Sequence, residues 1–161
     1  MSSSPRPTAV VTGGAAGLGL ATALRLSAEE RAAKSVRLAE LRNRLITGIL
    51  SAVPSAVLTG PDPRERPAAR LPGNASFCFP GVNGETVLVD LEARGLLVSS
   101  GSACAAGDTE PSHVLTAMGF PAEVATTAVR FTLSAEVTPE QVDGIVAAAR
   151  DVVERLVAAR G

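Results

Sequence analysis

At 161 residues with 46% hydrophobic side chains, the chain is long enough for one domain with a real core. Fifteen basic residues against sixteen acidic ones, with 2% aromatics and neither Trp nor Tyr, exclude a basic nucleic-acid face and an aromatic stacking platform. Two cysteines are too few for a secreted disulfide framework, and no spacing matches a metal knuckle. The start "MSSSPRPTAVV" lacks the charged and apolar regions of a signal peptide, and no apolar run reaches membrane length. A soluble, cytoplasmic, thiol-reducing setting is expected.

Residues 1–7 are rich in Ser and Pro, and residues 1–15 are expected to be a poorly ordered segment or linker remnant before a domain over 16–161. "TAVVTGGAAGLGLATALRL" sets a short β-branched run and a glycine cluster before an apolar helical pattern. Ser27-Ala28-Glu29-Glu30 has the form of a capping box and predicts a helix start there. Leu38, Leu41, Leu45, Ile49 and Val53 recur at helical spacing as its core stripe. Glu30–Lys34 and Glu40–Arg44 are i,i+4 pairs in the favourable order on its wet side, and Pro54 ends the helix.

"SAVLTG" reads as a short strand, "PDPRERPAARLPGN" as a loop, and "NASFCFPG" alternates like a strand. "NGETVLVDLEARG" reads as a helix with Asn83 as its N-cap and Gly95 just past its end. "LLVSS" is a strand that runs into the segment around Cys104. "PSHVLTAMG" is a short helix opened by Pro111 and closed by Gly119, and "VRFTLS" is a strand. Thr138-Pro139-Glu140-Gln141 supplies an N-cap, a proline at the first helical position and a capping-box Gln. The last helix carries Val142, Ile145, Val146, Val152, Val153 and Leu156 along one stripe. No internal repeat appears. About four short strands interleaved with helices predict an α/β fold, a helical layer over a small sheet.

Two motifs carry chemistry. "TGGAAGLG", between "AVV" and a helical run, resembles the cofactor loop of short-chain dehydrogenases, where glycines let the backbone approach a pyrophosphate at a helix N-terminus. A long amphipathic helix fills the stretch where the ribose-binding acid on a second strand belongs, and that family's catalytic tyrosine is impossible in a chain without Tyr. A glycine-rich turn before a core helix is the reading that remains, with a dinucleotide binder as the lesser alternative. The second motif is a thiol. Cys78, between Phe77 and Phe79, suits a small buried hydrophobe on a strand, on a face that the sequence leaves open. Cys104 does not, because the Ser, Gly and Ala residues around it offer almost nothing to pack against. A mobile loop over 99–110 is expected, giving the thiol the access a nucleophile needs; nothing in the sequence shows what would lower its pKa.

"SSGSAC", followed by "EPSHVL" and "AVRFTL", resembles the C-terminal region of cysteine desulfurases, pyridoxal-phosphate enzymes of the class V aminotransferase family. It is most similar to the long-loop group that supplies sulfur for iron–sulfur clusters. The similarity includes "LPGNASFCFPGVNGETVLVDLEARGLLVSSGSAC" and runs from about residue 16 to residue 157. The resemblance implies the C-terminal small domain of fold-type I pyridoxal-phosphate-dependent transferases. It also implies a reaction in which the loop cysteine attacks the sulfur of an L-cysteine held on pyridoxal phosphate. L-Alanine leaves, and a protein persulfide remains for iron–sulfur cluster assembly or other sulfur transfer. Cys104 matches that nucleophile, with Ser100, Gly101, Ser102 and Ala103 as the catalytic loop leading to it. Arg130 matches the arginine that holds the substrate carboxylate, a task suited to a guanidinium fork with two parallel N–H donors. Nothing carries over to His113, which is read as surface or packing.

The family places its Schiff-base lysine, its acid beneath the pyridine nitrogen and its phosphate cup in a large domain N-terminal to the matched region. The one lysine here is Lys34, mid-helix and paired with Glu30 on the sequence reading. No cofactor-binding residue is therefore assigned. Pyridoxal phosphate is implied by the family but not expected on this chain alone, which alone should not perform the elimination. The implied partners are a pyridoxal-phosphate-bearing large domain or full-length desulfurase and a sulfur acceptor such as an iron–sulfur scaffold protein, and a homodimer is compatible. No nucleic acid, membrane or metal is expected. A persulfide carrier without pyridoxal phosphate, or an inactive remnant, are the alternatives.

Overall fold

The computed structural model describes residues 18–100 and 110–159. They fall in two units, one ending at Ser35 and the other starting at Val36. Helix α1 (Leu18–Ala52) begins in the first unit. The expected start at Ser27 is not found, because Ala21, Ala23, Leu24 and Ala28 are strong helix formers and leave no break before the capping-box residues. Lys34 pairs with Glu30 at 2.5 Å on an exposed stretch, as the i,i+4 spacing predicts. Among the described residues no helix is long and apolar enough to cross a membrane.

From Val36 the chain completes α1 and adds β1 (Val57–Leu58), a 3-10 turn at Pro67–Ala69, β2 (Asn74–Cys78), α2 (Gly84–Glu92) and β3 (Ser99–Ser100). It continues with α3 (His113–Ala117), α4 (Ala122–Ala125), β4 (Ala128–Thr132) and α5 (Pro139–Ala158). The four strands form one sheet in the order β1-β2-β4-β3, with every neighbouring pair antiparallel. The α/β sandwich predicted from the strand and helix patterns is the observed fold.

The period-2 alternation of β2 and β4 sorts their side chains onto two faces. Ala75, Phe77, Val129 and Phe131 face the helices, continued by Phe79 and Leu133 beyond the strand ends, and all are buried. Phe77 and Phe131 meet edge-on at 6.0 Å and 75°. Against them pack Leu41, Leu45 and Ile49 of α1 with Val53 just past its end, Val87 and Leu91 of α2, and Val142, Val152 and Val153 of α5. Leu38, Ile145, Val146 and Leu156, the remaining members of the predicted stripes, lie half-buried at the edge of this layer.

The caps follow the sequence closely. Asn83 Oδ1 accepts from the N–H groups of Glu85 and Thr86 at 2.9 and 3.1 Å, fixing the start of α2. A Cβ at Gly84 would stand 2.9 Å from the carbonyl oxygen of Thr126, so only glycine lets this helix start approach the chain entering β4. The capping box at Thr138 and Gln141 is formed in both directions. Two expectations change, and one short helix is added. Arg44 does not pair with Glu40: it grips Asp143 of α5 through two bonds of 2.7 and 2.6 Å, because the packing of α1 beside α5 offers a two-pronged geometry. Pro111 precedes α3 rather than opening it; Ser112 holds the N-cap position and His113 is the first helical residue. α4, four residues long, is too short for any periodicity to show.

Candidate functional site

The ladder register places Ser76 of β2, Arg130 of β4 and Ser99 of β3 in one row across the sheet, on the face opposite the main core. One end of this face is covered. There Cys78 and Ala128 are buried under Leu115 of α3 and Ala125 of α4, with Phe120 and Val124 packed alongside. The other end, bearing Asn74, Ser76 and Arg130, borders an open cavity of about 400 Å³. The segments Thr59–Pro61 and Ala69–Leu71 form one wall, and Ser112, Val114, Leu115 and Met118 form another.

Arg130 lies half-exposed in this cavity, and its guanidinium makes no hydrogen bond or ion pair with the described residues. Among the described residues nothing occupies its guanidinium donors, and a carboxylate matches their fork. The neighbouring wall adds a second guanidinium. Arg70 donates to the carbonyl oxygens of Thr59 and Pro61, the latter at 3.2 Å from both Nε and Nη2. Burial pushes the Arg70 pKa below the ordinary arginine value, against a smaller opposing pull from Asp62. Asp62 is itself engaged by Arg64, whose bonds hold its carboxyl below the usual carboxylate range. The cavity is therefore lined by two guanidinium groups, neither of them ion-paired with a carboxylate among the described residues.

The predicted site residues are distributed as follows. Arg130 stands in the cavity, and Ser100 is paired with Val129 at the neighbouring edge strand. Cys104, Gly101, Ser102 and Ala103 lie outside the described residues, as does nearly all of the glycine-rich "TGGAAGLG". The segment that carries Cys104 leaves β3 one residue past Ser99, the row-mate of Arg130, and returns just before Ser112 on the cavity wall. His113 is exposed, a surface residue rather than a packing one. Cys78 is fully buried; burial raises its thiol pKa, partly offset by a hydrogen bond with Thr127. It shares the sheet face of Arg130 but lies beneath α3 and α4, which settles the face that the sequence left open.

Sequence reasoning missed Ser76, Asn74, Arg70 and Ser112. The alternation of β2 could have found the first two, since polar Asn74 and Ser76 oppose apolar Ala75 and Phe77. Arg70 and Ser112 left no local signal. Among the described residues no three His, Cys, Asp or Glu side chains are grouped to hold a metal ion.

Comparison with known proteins shows relatives in sequence and in fold. The sequence profile described as "Aminotransferase class-V" matches residues 10–145. The chain is 42% identical over 126 residues to the cysteine desulfurase IscS of Clostridium botulinum, covering 78% of this chain and 31% of that protein. It is 39% identical over 140 residues to the cysteine desulfurase NifS of Azotobacter vinelandii, covering 87% and 33% respectively. Among solved structures, a NifS-like protein superposes with a TM-score of 0.70 at 25% identity over 91% of this chain and 39% of that one. A NifS-like protein from Rickettsia africae shares the fold, with a TM-score of 0.66 at 23% identity over 90% of this chain and 39% of that one. The chain thus spans about a third of the length of the curated relatives it matches.

Pyridoxal phosphate, the cofactor of cysteine desulfurases, needs an amine to hold it, and the residues present do not fit it. The single lysine, Lys34, is bound to Glu30 on an exposed helix surface. A profile match across residues 10–145 and the fold shared with a NifS-like protein lead to one assignment: the chain belongs to the aminotransferase class-V family.

Proposed function

We propose that this chain is the sulfur-accepting and substrate-gripping part of a cysteine desulfurase, working with a pyridoxal-phosphate-bearing portion supplied by a partner or by a longer enzyme. The observation that carries the reading is Arg130, its guanidinium unpartnered among the described residues, in an open cavity beside the point where the chain departs toward Cys104. In the sequence Cys104 is four residues from Ser100, and a chain of that length spans at most about 14 Å.

In this reading Arg130 orients L-cysteine by its carboxylate, and Cys104 receives the sulfane sulfur as a persulfide for later delivery to an acceptor such as an iron–sulfur scaffold. The transfer balances without a further reagent when the donor is itself a persulfide. The Cys104 thiolate attacks the outer sulfur, the donor S–S bond breaks, and the donor leaves as a thiolate. Cys78 does not substitute, because it is enclosed and its thiolate is disfavoured.

One observation favours a second reading, a persulfide carrier that never meets pyridoxal phosphate: Lys34 is already paired and exposed. Both readings are tested with glutathione persulfide and with a desulfurase cofactor domain. Cys104→Ser is expected to abolish protein-bound persulfide in both assays. Arg130→Ala is expected to lower reconstituted turnover of L-cysteine by some tens to about a hundredfold, the loss of a charge-assisted hydrogen-bond pair worth about 2–3 kcal/mol. It should leave transfer from glutathione persulfide nearly unchanged. Persulfide accumulating on Cys104→Ser refutes the assigned nucleophile. Unchanged reconstituted turnover in Arg130→Ala refutes the carboxylate grip. A chain that takes persulfide from the donor and never turns over cysteine with the cofactor domain is the carrier.

A further inference from the structure

The wall of the Arg130 cavity has almost no regular structure, yet it is tightly held. Between residues 59 and 71 the only helical element is the 3-10 turn at Pro67–Ala69. Thr59 fastens its start to β2, where its N–H and its hydroxyl both donate to the carbonyl oxygen of Ser76, at 2.9 and 3.0 Å. Ser76 is the residue paired directly with Arg130. Arg70 then reaches back from the far end of the wall to the carbonyl oxygens of Thr59 and Pro61. Gly60 turns at φ +77, and a Cβ there would come within 3.2 Å of Arg70 Nη2, so the turn leaves room for that approach.

Behind the wall lies Arg42 of α1, only 1% exposed. Its Nη1 donates to the carbonyl oxygens of Leu71 at 3.1 Å and Arg70 at 3.4 Å, and its Nε and Nη2 donate to Asn43 Oδ1 at 3.2 and 3.0 Å. Burial pushes the Arg42 pKa down, the charge of Arg70 adds to this, and Asp62 opposes both. No carboxylate bonds to it among the described residues. A fully buried guanidinium without an acidic partner is a poor source of stability. What it holds is the end of the wall.

We propose that Arg42 and Arg70 are positioning residues of the Arg130 cavity: they fix residues 59–71 as its wall, and capture of a small carboxylate beside Arg130 depends on both. The inference rests on the reading of Arg130 as a carboxylate grip. With the wall already ordered, a ligand does not have to order it on binding, and the affinity lost to that ordering is retained. The two guanidinium groups also add positive potential to the cavity, which favours an anion over a neutral ligand.

The test uses the full chain, with propionate as probe, and follows the Arg130 Nε–H resonance and amide hydrogen exchange by NMR. The parent should show a saturable shift of Arg130. In Arg42→Met and in Arg70→Met the dissociation constant should rise by about tenfold or more. Arg42→Lys should recover part of that loss, because it restores a donor and a charge but not the fork. Exchange across 59–71 should quicken by about tenfold in Arg42→Met, while protection of β2 and β4 stays as in the parent. If both Met variants bind propionate as the parent does, the positioning role is overturned while the grip of Arg130 stands. If Arg130→Gln titrates like the parent, or the parent shows no saturable shift, the carboxylate reading itself fails. Unchanged exchange over 59–71 in Arg42→Met overturns the wall-fixing claim on its own. If Arg42→Met loses sheet protection, Arg70→Met decides the matter by the same binding criterion.

Discussion

Leu115→Ala tests whether the cover over Cys78 opens as a piece of its own. Leu115 is 7% exposed and is the one large aliphatic side chain buried in the cluster with Cys78, Ala125 and Ala128. Truncation to Ala removes hydrophobic burial at about 0.8 kcal/mol per methylene, plus a cavity contribution that stays small where a rim site can collapse. The loss is about 2–3 kcal/mol. At about 1.4 kcal/mol per tenfold, the population with Cys78 uncovered should rise about 30- to 150-fold. The assay is pulsed alkylation with iodoacetamide, mapped at the Cys78 peptide, in the parent and the variant over a range of sub-denaturing urea. Because α3 and α4 together are short and share little with the main core, the opening should be local, and the urea dependence of the Cys78 rate should be shallow beside that of global unfolding. A Cys78 rate that Leu115→Ala leaves unchanged refutes this reasoning. So does a urea slope as steep as global unfolding, which would make the cover part of the main cooperative unit.

Asp143 supplies a pH test. Its bonds to Arg44 hold the carboxyl below the usual carboxylate range, so its folded pKa is depressed relative to the unfolded chain. Its contribution is therefore present above the unfolded carboxylate value and lost as pH falls through the folded one. Thermal melts on the acid side should show a shallower loss of stability in Asp143→Asn than in the parent, and superimposable profiles would count against the pairing. Asn83→Ala removes an N-cap that satisfies two N–H groups and should cost about 1 kcal/mol, or about 2–4 °C in melting temperature, measured by calorimetry.

Much of this fold is written in short stretches of chain. Asn83 before "GETV" and Thr138-Pro139-Glu140-Gln141 mark helix starts because a cap is made within three residues of itself, and both caps form as read. The stripes of α1 and α5 and the alternation of β2 locate the main core for the same reason, since helix and strand periods alone decide which side chains share a face. The family was legible too, in "SSGSAC", "EPSHVL" and "AVRFTL", taken in order. Local signals also misled where a longer context overruled them, as at Ser27, absorbed into a helix that already runs from Leu18.

What only the tertiary structure decided involves partners far apart in the chain. Arg44 bonds Asp143, 99 residues away, instead of Glu40 one turn along, because α1 and α5 pack on the same face of the sheet. Arg42 sits on the wet side of no pattern that a sequence shows; it is buried because the carbonyls of Arg70 and Leu71 come to it from 28 and 29 residues downstream. The sheet order decided that Ser76, Arg130 and Ser99 stand in one row, and that Cys78 lies on their face under its own cover. A sequence determines the elements because caps and periodicities are satisfied within a turn or two of backbone. The cavity was settled only when strands distant in sequence paired, since that pairing alone brings the wall, the row of Arg130 and the edge toward Cys104 together.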